Sequence, residues 1–170
     1  MPLNRHLRGD LKRKLSNNKT TPEALKVRVS EKCVQLFEVL GVMNATEIHA
    51  RYEIEIEEYA LRIQIEGRVL GDIARNHVIP TAVKYQNILI ENVQGLKNIY
   101  GKDFKSFAKE QLKLVEDISK HIELINSGVT IMTNERKNAN RIENSIKRAN
   151  VYCNKIKPYF EQIRYSCDKL

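Results

Sequence analysis

No tryptophan occurs in these 170 residues, and aromatic residues make up only 6% of them. Hydrophobic residues still reach 42%, so the core is predicted to be aliphatic. Seven glycines and four prolines are few for this length, which excludes a turn-rich β architecture and fits long helices. No uninterrupted apolar run approaches the ~20 residues needed to cross a bilayer. The first residues lack the apolar segment of a secretory signal, which predicts residence in the cytoplasm. The three cysteines, Cys33, Cys153 and Cys167, include no CxxC pair. Cys153 and Cys167 would stand ~21 Å apart on one helix, beyond disulfide reach, so buried or half-buried thiols are expected.

Motifs of chemistry are also scarce. There is no phosphate-cradling GxxxxGK[ST] loop and no Glu-x-x-His of the kind that di-iron bundles use. Glu53, Glu55, Glu57 and Glu58 are read as a solvated acidic face. His6, His49, His77 and His121 are scattered, and His77, near the main apolar stripe, reads as a core or kink residue. The seven tyrosines occur singly, as core edges, and make no stacking platform for bases.

The charge is uneven. Residues 1–20 carry +5, residues 21–100 carry −2 and residues 101–170 carry +5. The densest basic cluster, residues 5–19, lies in a polar, turn-rich stretch rather than on one face of a helix. Residues 1–20 are therefore read as a poorly ordered basic leader and residues 21–170 as a single helical domain. Nucleic acid is not the expected partner.

The richest stretch is residues 44–100. Asn44 and Glu47 form the sequence pattern of a capping box. Placed at 100° per residue, one stripe collects Ile56, Tyr59, Ala60, Ile63, Gly67, Leu70, Ala74 and Val78. The opposite stripe collects Ile54, Leu61, Ile65, Val69 and Ile79. A helix apolar on two sides is expected to lie between two layers of protein. Ala60, Gly67, Gly71 and Ala74 form a line of small residues. Each glycine costs ~1 kcal/mol relative to alanine inside a helix, and the expected compensation is close approach of another helix backbone. The packing and interface candidates are thus Ala60, Gly67, Gly71 and Ala74 on one face and Ile54, Leu61, Ile65 and Val69 on the other. Pro80 predicts a kink rather than a stop.

Elsewhere, Thr21-Pro22-Glu23 opens a helix over about 22–40 carrying Leu25, Val29, Cys33, Leu36, Phe37 and Leu40, with Ser30 as a possible interruption. Asp103 caps a helix over about 103–137. A final helix over about 142–169 carries the seam Ile142, Ile146, Ala149, Cys153, Ile156, Phe160, Ile163, Cys167 and Leu170. These two heptad-like helices and their polar turn predict a coiled-coil-like hairpin. The fold class is all-α: an elongated antiparallel helical bundle of long helices ending in that hairpin.

The segments Thr20-Thr21-Pro22-Glu23-Ala24-Leu25, His49-Ala50-Arg51-Tyr52-Glu53-Ile54-Glu55 and Ile63-Gln64-Ile65-Glu66, in that order, carry a resemblance. So do Asp72-Ile73-Ala74-Arg75-Asn76-His77-Val78-Ile79-Pro80-Thr81-Ala82-Val83-Lys84-Tyr85-Gln86 and Glu91-Asn92-Val93-Gln94-Gly95-Leu96-Lys97. Tyr152-Cys153-Asn154-Lys155-Ile156-Lys157-Pro158-Tyr159 extends it. Over residues 17–170 the chain resembles the C-terminal helical region of type III glutamine synthetases. Residues 1–16 depart from the resemblance. It implies a parent enzyme that joins ammonia to glutamate with ATP and Mg or Mn ions and assembles into double rings. The family's metal-, nucleotide- and glutamate-binding motifs lie upstream of this region and have no match here. No catalytic, cofactor-binding or metal-binding residue is carried over, and the chain alone is expected to be inactive. The implied partners are the catalytic region of the parent enzyme and neighbouring subunits, with self-association through the second stripe. Two other readings stay open on the residues: a stand-alone helical protein–protein interaction module, and a basic nucleic-acid-binding bundle.

Overall fold

The computed structural model describes residues 17–170; most of the expected disordered leader lies outside the described residues. Helices α1 (Thr21–Arg28) and α2 (Glu31–Val39) come first. Helix α3 (Ala45–Ile73), a π turn (Ala74–Val78) and α4 (Ile79–Tyr100) then join into one continuous rod. A 3-10 turn (Gly101–Asp103) and α5 (Phe104–Phe107) form the tip, and α6 (Lys109–Ala139) returns. Helix α7 (Ser145–Val151), a second π turn (Tyr152–Ile156) and α8 (Pro158–Cys167) complete the chain. Among the described residues there is no strand.

The helix starts follow from local chemistry. Asn44 Oδ1 accepts from the Glu47 amide at 2.9 Å, and Glu47 Oε2 accepts from the Asn44 amide at 2.9 Å. Together they satisfy two donors that the first turn of a helix leaves unpaired. The first helix has the same device one residue earlier than the sequence suggested. Thr20, not Thr21, is its cap, paired with Glu23. Ser30 does divide the first helical segment, although its side chain makes no cap bond. Asp103 makes none either, and a short helix and a break at the buried, non-helical Ala108 precede α6. At that tip the rings of Tyr100 and Phe107 stack, centroids 4.1 Å apart.

Both π turns end two residues before a proline. The Ile79 amide donates to the Ala74 carbonyl, and the Lys157 amide to the Tyr152 carbonyl at 2.9 Å, each five residues back. Pro80 and Pro158 follow directly. A proline ring collides with the carbonyl four residues before it. Widening the preceding turn relieves that collision and lets the helix continue. The irregularity expected at Pro80 takes this form.

The rod is the spine of the bundle, and α6 runs antiparallel to it. From Gly67 through Gly71 and Arg75 to Gln86, the facing residues on α6 descend from Met132 through Val129 and Asn126 to Val115. Helices α7 and α8 run parallel to the rod, with Arg148 beside Glu57 and Phe160 over Gly67. The centre of the molecule is therefore a three-helix bundle. Its core holds Ile56, Ala60, Ile63, Ala74, Ile125, Val129, Met132, Tyr152, Ile156 and Ile163. Beyond the level of α8 the rod and α6 pack on each other as a two-helix arm around Ala82, Leu89 and Ile118.

Several side chains sit differently from the sequence expectation. His77 is exposed, not in the core. Ile146 is exposed, while Tyr152, absent from the expected seam, is fully buried with its hydroxyl donating to Asn140 Oδ1 at 2.6 Å. Leu36 and Leu40 on the α2 segment are exposed, as is Val39. The rest of that seam, from Ala149 through Ile156 to Ile163, lies in the core as spaced.

Candidate functional site

The two faces of the rod are chemically alike and structurally opposite. On the inner face Ile56, Ala60, Ile63, Gly67, Gly71 and Ala74 are buried. The glycines leave room for side chains rather than for a backbone, which corrects the expected mode of contact. A Cβ on Gly67 would lie 3.2 Å from Phe160 Cε1 and 3.7 Å from Met132 Sδ. One on Gly71 would lie 3.3 Å from Val129 Cγ1. Gly128 on α6, which no line of small residues in the sequence singled out, does the same for Ile163, whose Cγ1 would be 3.1 Å away.

On the outer face nothing among the described residues covers the second stripe. Ile54 is 59% exposed, Leu61 54%, Ile65 52% and Val69 51%. Ile73 continues the stripe, exposed as well. Among the described residues the rod is thus clasped from one flank only. Ile79, the last member expected on the stripe, turns inward and packs against the core; it follows the π turn, which shifts the phase of the face.

Beside the stripe an open groove of about 630 Å³ runs between the rod and α6, lined by Ile65, Arg68, Val69, Asp72, Arg75 and Arg136 among others. Arg75 is held in place by bonds from Nη2 to the Thr130 hydroxyl (2.6 Å) and the Asn126 carbonyl (3.3 Å). Asp72 Oδ1 accepts from Asn76 Nδ2 at 2.6 Å. Among the described residues Arg68, Arg75 and Arg136 make no ion pair, whereas Arg28 pairs with Glu55, Arg62 with Glu58 and Arg148 with Glu57.

Titratable groups inside the bundle are held in their neutral forms. Burial pushes the Tyr59 phenol well above its ordinary value, and the adjoining Cys153 thiol and the Glu66 carboxylate push the same way. Burial also raises Tyr152, against the opposing pull of Arg136 and Arg148, and it raises Tyr52. Burial, then Asp168, raises the Cys167 thiol, which favours the unreactive protonated form. Among the described residues no group of three or more His, Cys, Asp or Glu is placed to hold a metal ion. No described helix is long and apolar enough to cross a membrane.

A three-helix bundle with one face of its central rod left apolar and bare defines a helical packing module. Comparison with known proteins places the chain further. Residues 9–97 match the glutamine synthetase C-terminal domain family, and the chain belongs to that family. It is 37% identical over 160 residues to a glutamine synthetase of Bacteroides fragilis (strain YCH46), covering 94% of this chain and 22% of that protein. It is 22% identical over 158 residues to a glutamine synthetase of Butyrivibrio fibrisolvens, with 93% and 22% coverage. It is 34% identical over 84 residues to the type-3 glutamine synthetase of Dictyostelium discoideum, covering 49% of this chain and 11% of that protein. The chain thus spans 22% of the length of the two bacterial relatives.

Proposed function

We propose that this chain is the C-terminal packing and assembly module of a cytoplasmic glutamine synthetase. Its partners are the catalytic portion of that enzyme and neighbouring subunits, and it associates with further copies of itself. The single observation that carries this reading is the outer stripe: four large apolar side chains, each more than half exposed, on a chain that spans 22% of its bacterial relatives. An apolar band of that kind on a soluble helix marks a surface that meets protein.

The resemblance implies ATP and a divalent ion, Mg or Mn, for the parent reaction. The described residues do not fit that ion, because they bring no three ligating side chains together. Binding of nucleotide and metal, and the ligation of ammonia to glutamate, therefore fall to the catalytic portion. The experiment is to purify this chain and the catalytic portion of the parent enzyme separately and mix them. The expected result is a complex of the two, and no glutamine formation or ATP binding by this chain alone. ATP-dependent turnover by the isolated chain, or failure of the two to associate, overturns the reading.

A further inference from the structure

We infer that the outer stripe pairs with the same stripe of a second copy, antiparallel, about a two-fold axis that crosses the rod at the level of Ile63. This deepens the assembly role proposed above and rests on it.

The argument begins from spacing. The outward-facing positions Ile54, Glu58, Leu61, Ile65, Arg68 and Asp72 succeed one another by four, three, four, three and four. That is a coiled-coil seam, ~27 Å long. Laid against itself in the antiparallel sense, the seam matches in one register. Leu61 meets the partner's Ile65 and Ile65 the partner's Leu61, giving an apolar centre. One layer out, Glu58 meets the partner's Arg68 and Arg68 the partner's Glu58. At the ends Ile54 lies against the partner's Asp72, with Ile73 bordering it. An isologous contact requires such self-complementarity, because residue i meets j and j meets i.

The charges select this arrangement over its rivals. In a parallel pairing Glu58 would face Glu58 and Arg68 would face Arg68, two layers of like charge. In the antiparallel one both layers are opposite in sign. Arg68 is free for this role, having no ion-pair partner among the described residues, while Glu58 is engaged only by the exposed Arg62 at 3.4 Å. Among the described residues nothing covers the stripe. The remaining helices pack on the inner face, and grooves border the stripe on both sides, one against α6 and one against α7.

Sedimentation of the purified 170-residue chain over a range of concentrations tests this. The expected result is a reversible dimer that Leu61→Glu converts to monomer without changing the helix content read by circular dichroism. Glu58→Arg and Arg68→Glu are each expected to weaken the dimer about tenfold or more, and the double variant E58R/R68E to restore it to within about threefold, since both layers then reverse together. A chain that stays monomeric at every concentration, or a dimer that the double variant fails to recover, overturns the proposal. The catalytic portion separates the two ideas. Monomeric chain that still binds it through a Leu61-sensitive contact sinks the self-pairing and leaves the module reading standing. A dimer that ignores the catalytic portion does the reverse.

Discussion

The ring of Phe160 lies where a side chain on Gly67 would be, with Cε1 3.2 Å from the position of its missing Cβ. The glycine is a socket and the phenylalanine a knob. This contact fixes the axial position of α8 along the rod. Three glycines with different sockets should consequently respond differently to one added methyl. Gly95 has nothing within 4 Å of a built Cβ, so Gly95→Ala should stabilise the chain by up to ~1 kcal/mol through helix propensity alone. At Gly67 the half-buried Phe160 has to tilt, and the propensity gain should be offset to near zero. At Gly128 the obstacle is Ile163, 1% exposed and unable to move aside. Gly128→Ala should cost ~1–2 kcal/mol through overpacking. Urea unfolding midpoints rank the three.

Ile56 and Ile54 are two residues apart on the rod and chemically identical. Ile56 is 0% exposed and Ile54 is 59% exposed. Ile56→Ala should cost ~2–5 kcal/mol, the range for a buried aliphatic truncated to alanine. Ile54→Ala should stay within ~0.5 kcal/mol. Equal losses at the two positions in chemical denaturation, at concentrations where the chain is monomeric, would mean that the outer stripe is covered by this chain itself.

Tyr152 ties the π turn to the residue after α6, its hydroxyl 2.6 Å from Asn140 Oδ1. Tyr152→Phe keeps the ring and removes the bond. The expected loss is ~1 kcal/mol, because the exposed Asn140 can turn to water. Tyr152→Ala should instead empty a fully buried site and cost ~3–5 kcal/mol. Thermal melts of the two variants distinguish bond from packing.

Alkaline pH should unfold the chain early. The folded state holds the phenolic protons of Tyr59, Tyr52 and Tyr152 more tightly than the unfolded chain does, whose ordinary value is 10.0. Their contribution is complete below that value and is lost as pH rises through it toward the higher folded values. Melting temperature should fall steeply above about pH 10. Tyr59→Phe should flatten the slope, and a variant with an unchanged slope would assign the alkaline loss elsewhere.

The two faces of the rod show where sequence reading ran out. Ile56 and Ile54 belong to stripes of similar apolar content, and nothing local says which one is buried. The decision comes from α6, α7 and α8, which have only one rod to cover and cover the side that has sockets for their knobs. The outcome at each proline has a similar origin. A proline announces an irregular turn, but whether it yields a bend or an inserted residue depends on what packs around it. Ala74, Tyr152 and Ile156 in the two π turns are buried; regular spacing anticipated Ala74 and Ile156 but not Tyr152. Gly128 went unnoticed because its socket is defined by Ile163, a residue 35 positions away.

By itself the sequence determined that this protein is helical, where its long helix starts and that its rod has two apolar faces. Those properties reside in caps, spacing and the rarity of glycine and proline, all read within a few turns of chain. The tertiary structure alone decided which face became core, which glycines receive which side chains and how the two prolines are absorbed. Burial is a competition between surfaces far apart in the chain, and only the assembled bundle shows which of them won.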